Sequence, residues 1–386
     1  QESRWSRRMP TEASLVRIHV KNFKSLEDFE LSGMGDFVCL IGLNGAGKST
    51  LLQLLDFLRA LLRGRVTEWF ERHRWHPSDI LTVGSSKKLV EFELEVRSGE
   101  RLQRWKGRFN PQELRCTYEE IADIQQDGTL SQVLRFEDGR LRLNGKEVDL
   151  ADFRHEGSIC SSLKTLELAP DFLLHTKAFG VLDPSSIAQA TQSNARVSVP
   201  EVETSGKGLV GFIAGLSAED QSRLFGRLAK FYPAAKDDYH IKKHKFGWQN
   251  LLFMERGLAY CDASHLSYGT LRLLVFLSQR YSGARCLLFD EVENGINQEL
   301  IGPLLEELLD FNGKQIMITT HSALLLNYLP EQTARESVFF LYRDAQGRTR
   351  AVRFFDEIEE KLAFLGPGEA MGDTDLVALS KRLAEE

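Results

Sequence analysis

The sequence is poor in the features that would place it in several large classes. Its five cysteines (Cys39, Cys116, Cys160, Cys261, Cys286) are far apart, odd in number and never in a Cys-x-x-Cys pair. Neither a disulfide framework nor a zinc ribbon is suggested, and a reducing cytoplasm fits. No apolar run approaches the roughly 18 residues of a membrane span; the longest candidate, Leu51 to Leu62, is broken by Gln53, Asp56 and Arg59. The first ten residues are basic but lack the apolar segment of a secretory signal, and read as an extension before or around Met9 as a start. Internal repeats and low-complexity tracts are missing too. There is no excess of positive charge: 49 Lys plus Arg face 55 Asp plus Glu, a net charge of −6. That excludes a histone-like coat of positive charge, though not a local basic groove.

What is present is globular: 386 residues, 42% apolar and 10% aromatic. This is enough for two or three domains, or one domain with a large insertion. Alternation of apolar and polar residues from Ser14 to Phe23 predicts a half-buried strand. Phe37 to Ile41 is short and continuously apolar, as in a strand covered on both faces. Gly42 to Thr50 (G-L-N-G-A-G-K-S-T) follows at once, and then Leu51, Leu52, Leu54, Leu55, Leu58, Leu61 and Leu62 recur at helical spacing. The order is strand, glycine loop, helix.

Further strands are predicted at Leu89–Val96 and Leu102–Phe109, and a hairpin turn at Glu-Asp-Gly-Arg within Val133–Leu143. From 147 to about 235 the reading is mostly helical. Its clearest helix is Ser217–Phe231, capped by Ser217 and ended by Pro233. Val197–Lys207 has no apolar period and reads as a mobile loop. The last third alternates strands (286–289, 315–319, 338–342) with a helix at 300–309, which implies parallel pairing.

Gly42, Gly47, Lys48 and Ser49 meet the pattern G-x-x-x-x-G-K-[ST]. A chance match in a chain of this length has a probability of about one in a hundred. Glycines let the backbone N–H groups face phosphates, the helix presents its positive end, the lysine reaches β and γ oxygens, and the hydroxyl ligates Mg2+. Kinases, GTPases and motor ATPases all fit that loop. Further along, Cys286-Leu-Leu-Phe is followed by Asp290 and Glu291: one acid to hold magnesium, the next to polarise the attacking water. Leu266-Ser-Tyr-Gly-Thr opens an apolar helix before that pair, and Gln315 to His321 forms a strand ending in a polar residue after it. Taken singly, each reads as an N-capped helix or a charged strand end. In this order they form a pattern.

The pattern resembles the ABC-type ATPase head of the RecF, SMC and overcoming-lysogenisation-defect group of chromosome-maintenance and phage-defence ATPases. Lys21-Asn-Phe-Lys-Ser-Leu, Asn44-Gly-Ala-Gly-Lys-Ser-Thr, the segment 206–216, Leu266 to Arg272, Phe289 to Ile296 and Thr319-Thr-His-Ser look like bacterial AAA-type ATPases close to that group. The resemblance implies an α/β P-loop NTPase fold with an antiparallel β subdomain and a mostly helical insertion. The expected lobes are 14–146 (P-loop and β subdomain), 147–256 (insertion) and 257–386 (signature helix, acid pair and switch histidine). It implies an ATPase using ATP and Mg2+ as a homodimer that sandwiches two nucleotides. Ser49 and Asp290 would ligate the metal, Glu291 would be the general base and His321 the γ-phosphate sensor. Asn44, Gly45, Ala46, Gly47, Lys48, Ser49 and Thr50 would cradle the phosphates. Ser267 and Gly269 would reach across the interface, and Lys24 would lie near the nucleotide.

The chain departs from the group's pattern at Thr270, where Gln or Glu is usual, at Val292 in place of proline, and at Asn297-Gln298 in place of His-Pro. Between Lys48 and Ser267 there are no sustained heptads, so a compact subdomain is expected rather than a long coiled coil. Too few residues follow His321 for a TOPRIM nuclease, which makes a separate effector protein, nuclease or toxin, the expected partner. DNA or RNA is a further candidate, through the basic and aromatic stretch Arg59–Trp75 or Lys242-Lys243-His244-Lys245. No membrane is expected. The reading is a cytoplasmic ATP-driven switch in defence or DNA maintenance; the alternatives are a transporter's nucleotide-binding subunit and a non-hydrolysing scaffold.

Overall fold

The computed structural model describes residues 11–150, 153–163, 169–180, 182–192, 201–232, 239–255, 259–362 and 364–385. Strands β1 (Ala13–Lys21), β2 (Phe29–Ser32) and β3 (Phe37–Gly42) lead to helices α1 (Lys48–Arg63) and α2 (Val66–His73). Six strands follow: β4 (Val90–Ser98), β5 (Arg101–Asn110), β6 (Arg115–Ile124), β7 (Leu130–Glu137), β8 (Arg140–Leu143) and β9 (Lys146–Asp149). Next come α3 (Ala169–Leu174), β10 (Thr176–Phe179), α4 (Pro184–Ala188), β11 (Thr191–Gln192), α5 (Leu209–Gly215), α6 (Ala218–Leu228), β12 (Tyr239–Lys243), β13 (Trp248–Glu255) and β14 (Ala259–Asp262). The chain continues through α7 (Tyr268–Ser278), β15 (Cys286–Phe289), α8 (Gln298–Leu309), β16 (Gln315–Thr319), β17 (Val338–Arg343) and β18 (Thr349–Arg353).

Two units emerge: Gln1–Ala178, Arg285–Leu288 and Asn312–Glu386 form the first, Phe179–Ala284 and Phe289–Phe311 the second. The first contains an antiparallel sheet in the order β2-β1-β4-β5-β6-β7-β8-β9 and a six-stranded sheet in the order β10-β15-β16-β3-β17-β18. In the latter, β3 pairs in parallel with both β16 and β17, as strand–helix alternation predicts. Helix α1 buries its leucine face, with Leu51, Leu54, Leu55, Leu58 and Leu61 fully enclosed. It ends at Gly64, whose φ of 61° only glycine adopts at little cost. Gln315 ties the two sheets together: its fully buried amide donates to the carbonyls of Leu15 (2.8 Å) and Gly35 (2.7 Å) and accepts from the Leu15 N–H (3.0 Å). Satisfying every polar atom of such a group is what makes its burial tolerable.

The second unit carries β13 with β12 along one side and β11 and β14 along the other. Ser217 caps α6, accepting from the Asp220 N–H, and the helix ends at Leu228; Pro233 lies outside the described residues. The stretch 147–256, expected as mostly helical, holds among its described residues four short α-helices and also the strands β10 to β13. These strands are two to eight residues long, and most are too short to declare themselves by alternation. Of the expected loop Val197–Lys207, residues 197–200 lie outside the described residues; 201–207 form a turn in which the Glu203 N–H donates to the Lys207 carbonyl at 2.9 Å.

Candidate nucleotide-binding site

In the first unit the glycine loop springs from the C-terminal end of β3, where ligands of parallel α/β sheets bind. Gly42 (φ 148°), Gly45 (78°) and Gly47 (110°) take positive-φ conformations that side-chain-bearing residues rarely adopt. A Cβ on Gly42 would lie 2.3 Å from the Leu341 carbonyl oxygen, and one on Gly47 2.3 Å from Thr349 Oγ1. Gly42 and Gly47 therefore answer to close packing as well as to dihedral angle, whereas at Gly45 the angle alone applies. Gly47 caps α1 without a side chain, and no acid stands in the helix's first turn. The first N–H groups of a helix lack intrahelical acceptors, so this end offers donors and positive potential to an anion.

Lys48 is buried, and its ammonium donates to the carbonyls of Gly42 (2.8 Å) and Leu43 (3.2 Å), inside the curl of its own loop. Asn44, Gly45 and Ser49 are exposed, Thr50 is half-buried, and Ala46 is buried. Arg343, at the end of β17, clamps the loop by donating Nε to the Gly45 carbonyl at 2.8 Å. His321 is exposed two residues beyond β16, whose Thr319 stands in register with Leu40 of β3, so the sheet brings it to the same end as the loop. Lys24 lies with its ammonium 3.2 Å from the centre of the Trp75 ring and 3.0 Å from Gln53 Oε1 on α1. Burial brings its pKa down to about 8, while Asp79 pulls the other way.

The basic and aromatic stretch of α1 and α2 divides. Trp69 is 2% exposed and donates Nε1 to Asp56, which also receives Arg72, whereas Arg63, Arg65 and Arg72 are exposed. The indole thus belongs to the core.

The signature segment and the acid pair belong to the second unit. Ser267 is exposed and caps α7, accepting from the Thr270 N–H at 3.2 Å with its Oγ 2.9 Å from Thr270 Oγ1. Gly269 packs on the turn after the acid pair; a Cβ there would lie 2.3 Å from the Gly295 carbonyl oxygen. Arg272, 1% exposed, donates Nη2 to the carbonyls of Asp290 (2.7 Å) and Glu291 (2.6 Å) and Nη1 to the Tyr268 hydroxyl (3.0 Å). A buried guanidinium thus ties the start of the signature helix to the backbone of both acids. Glu291 is exposed with φ 46°, an uncommon conformation for a side-chain-bearing residue that is found where surrounding structure enforces it. The Asn294 N–H adds a bond to its carbonyl at 2.9 Å, and Asp290 donates its N–H to the Phe179 carbonyl at 2.9 Å. Asp290 is half-buried. Among the described residues no cluster of three or more His, Cys, Asp or Glu could hold a metal by itself. Magnesium in nucleotide sites needs only one or two protein ligands, the rest being phosphate oxygens and water.

Arg343 and Gln53 lie outside the sequence motifs, whereas Trp75 and Arg272 close two of them, the stretch Arg59–Trp75 and the segment Leu266 to Arg272, with no role assigned to either residue there. Arg272 alone had a local signal, a cation inside an otherwise apolar helix.

A family model described as "AAA domain, putative AbiEii toxin, Type IV TA system" matches residues 37–327, well over half of the chain. The chain belongs to this family. No curated protein matches it. Among solved structures, an SMC head bound to the C-terminal winged-helix domain of ScpA is similar at a TM-score of 0.52 and 16% identity, over 88% of this chain and 97% of that one. An SMC head with an extended coiled coil, bound to the C-terminal domain of ScpA from Pyrococcus furiosus, gives 0.49 and 14% over 91% and 98%. The Thermotoga maritima SMC head domain gives 0.44 and 14% over 88% and 98%. At these identities the likeness is one of fold, and the first structure carries it: a P-loop NTPase of the SMC-head type. Family and fold together make this AAA-family member a nucleotide-binding ATPase. Among the described residues no helix is long and apolar enough to cross a membrane.

Proposed function

We propose that this AAA-family chain is a magnesium-dependent ATP hydrolase working as a homodimeric switch, in which ATP closes two copies on each other and hydrolysis releases them. The observation that carries the reading is the loop at α1: three glycines at positive φ, an acid-free helix N-terminus and Lys48 held within the curl. On ATP binding, Lys48 exchanges its two loop carbonyls for β and γ oxygens, and residues 44–50 surround the phosphates with N–H groups. Ser49 and Asp290 would hold magnesium, which when bound neutralises charge on the β and γ oxygens. Glu291 orients and deprotonates the attacking water, and His321 reads the γ-phosphate. Lys24 lies toward the nucleotide.

Ser267 and Gly269 of one copy complete the pocket of the other. The exposure of Ser267 at the N-terminus of α7 supports this role. The cycle then gates a separate effector, nuclease or toxin, or a nucleic acid, in phage defence or DNA maintenance in the cytoplasm.

The test is size-exclusion chromatography with ATP, beside phosphate release. Glu291→Gln is expected to accumulate as an ATP-bound dimer without releasing phosphate, and Lys48→Ala to lose ATP binding. A Glu291→Gln protein that stays monomeric in saturating ATP overturns the switch. Wild-type protein that binds ATP and releases no phosphate reduces it to a scaffold.

A further inference from the structure

The four-stranded sheet of the second unit has one covered face and one open face. Strand register sorts its residues. Tyr239, Leu251 and Phe253 point to the covered side, where Tyr239 stacks on Phe225 of α6 with ring centres 3.6 Å apart; Leu251 and Phe253 are 1% and 3% exposed. The alternate positions form the open face: His240, Lys242 and His244 along β12 and just beyond it, Trp248, Asn250, Leu252 and Met254 on β13, Tyr260 and Asp262 on β14. Trp248 and Tyr260 keep 42% and 50% of their surface in water, and His240, Lys242 and His244 are exposed. Exposed Lys245 follows just beyond β12, while Lys243, paired with Gln249, alternates to the other side of the strand. Among the described residues the one acid on this face, Asp262, is already engaged by the Asn250 amide (2.8 Å) and the Ser264 N–H (3.0 Å).

Lysines on β12 have an ordinary use, since charge on an edge strand deters pairing with other chains. That use does not call for two large aromatic rings standing in water on the same face. On a chain of net charge −6, a cationic face bearing exposed rings is suited to a polyanion that carries flat apolar groups. Counted along β13, Trp248 and the position opposite Tyr260 are six residues apart, about 20 Å, which leaves room for several nucleotides between them. From this juxtaposition we infer that the open face of the β11–β14 sheet binds single-stranded nucleic acid. Bases stack on Trp248 and Tyr260, and Lys242 and Lys245 neutralise the backbone. The site belongs wholly to the second unit and needs no ATP.

The experiment uses the full chain without nucleotide and a fluorescent oligothymidylate of about 12 nucleotides, within the site sizes of such platforms. Anisotropy titrations at several salt concentrations should show binding that weakens with salt at a log–log slope of about −1.4, from two lysine contacts on a single strand. Trp248→Ala and Tyr260→Ala should each weaken it roughly 5- to 150-fold. Lys242→Gln should flatten the slope by about 0.7. A duplex of the same length should bind more weakly, because its bases are already stacked. Both rings project from the face opposite the packed one, so unchanged melting of the two alanine variants shows that the fold survives. Absence of binding at low salt, binding indifferent to both substitutions, or capture by phosphatidylserine vesicles in place of the oligonucleotide overturns the inference.

Discussion

Glu119, on β6, has no solvent exposure, yet its carboxylate gathers the Ser158 hydroxyl (2.6 Å), the Ile159 N–H (2.5 Å) and the Trp105 Nε1–H (3.2 Å). Burial dominates these bonds and pushes its pKa up to about 7. The sign of the pH effect follows. Between about pH 4.5 and 7 the folded chain keeps this proton while the unfolded chain has lost it, so raising the pH favours unfolding. The group's contribution should worsen by about 3 kcal/mol across that window, fully relieved below it and fully present above it. Urea midpoints taken near pH 5 and near pH 8, for wild type and Glu119→Gln, isolate this term. The wild type should lose more stability with rising pH than the variant; parallel curves would show that the carboxylate is not titrating there.

Among the elements, the start of α7 and the turn after β15 form a close junction within the second unit. Gly269 faces the Gly295 carbonyl, and a Cβ on Gly295 would in turn lie 2.7 Å from the Tyr268 ring. Gly269→Ala must push the signature helix off the turn that Arg272 holds. The expected cost is about 1–3 kcal/mol of stability, as for other overpacked sites. Phosphate release should fall at least about tenfold, equivalent to 1.4 kcal/mol on the barrier, while ATP titration is unaltered because the glycine loop is untouched. Equal losses in affinity and turnover would place the defect elsewhere.

Elements of this kind are where the sequence was most readable. The alternation of β1, the leucine period of α1, the Ser217 cap and the turn at Asp138–Gly139 are local patterns, and the structure repeats them to within a few residues. Contacts that join distant positions leave no such mark. Arg343 reaches Gly45 across 298 positions and Gln315 reaches Leu15 across 300, and nothing in the spacing of either residue announces its partner. Strands β11, β12 and β14 of the second unit were hidden because two to five residues cannot display a period.

At the scale of the molecule, the chain passes between the two units four times, at 178/179, 284/285, 288/289 and 311/312. The most consequential passage encloses β15, whose four residues are at most 1% exposed and which stands between β10 and β16 in the six-stranded sheet. Both ends of that strand lead directly into the second unit, so its loss would split the sheet at an interior position and leave a row of backbone groups unpaired. Large chains with several domains often unfold in separate steps. Here the threading of β15 favours one. Calorimetry should therefore record a single transition, and a slowly hydrolysed ATP analogue at about 100 times its Kd should move the whole of it upward by about 3 °C. Two separated transitions, only one of them responding to the analogue, would mean that the second unit melts while β15 stays in place, and that the shared strand does not bind the chain into one cooperative body.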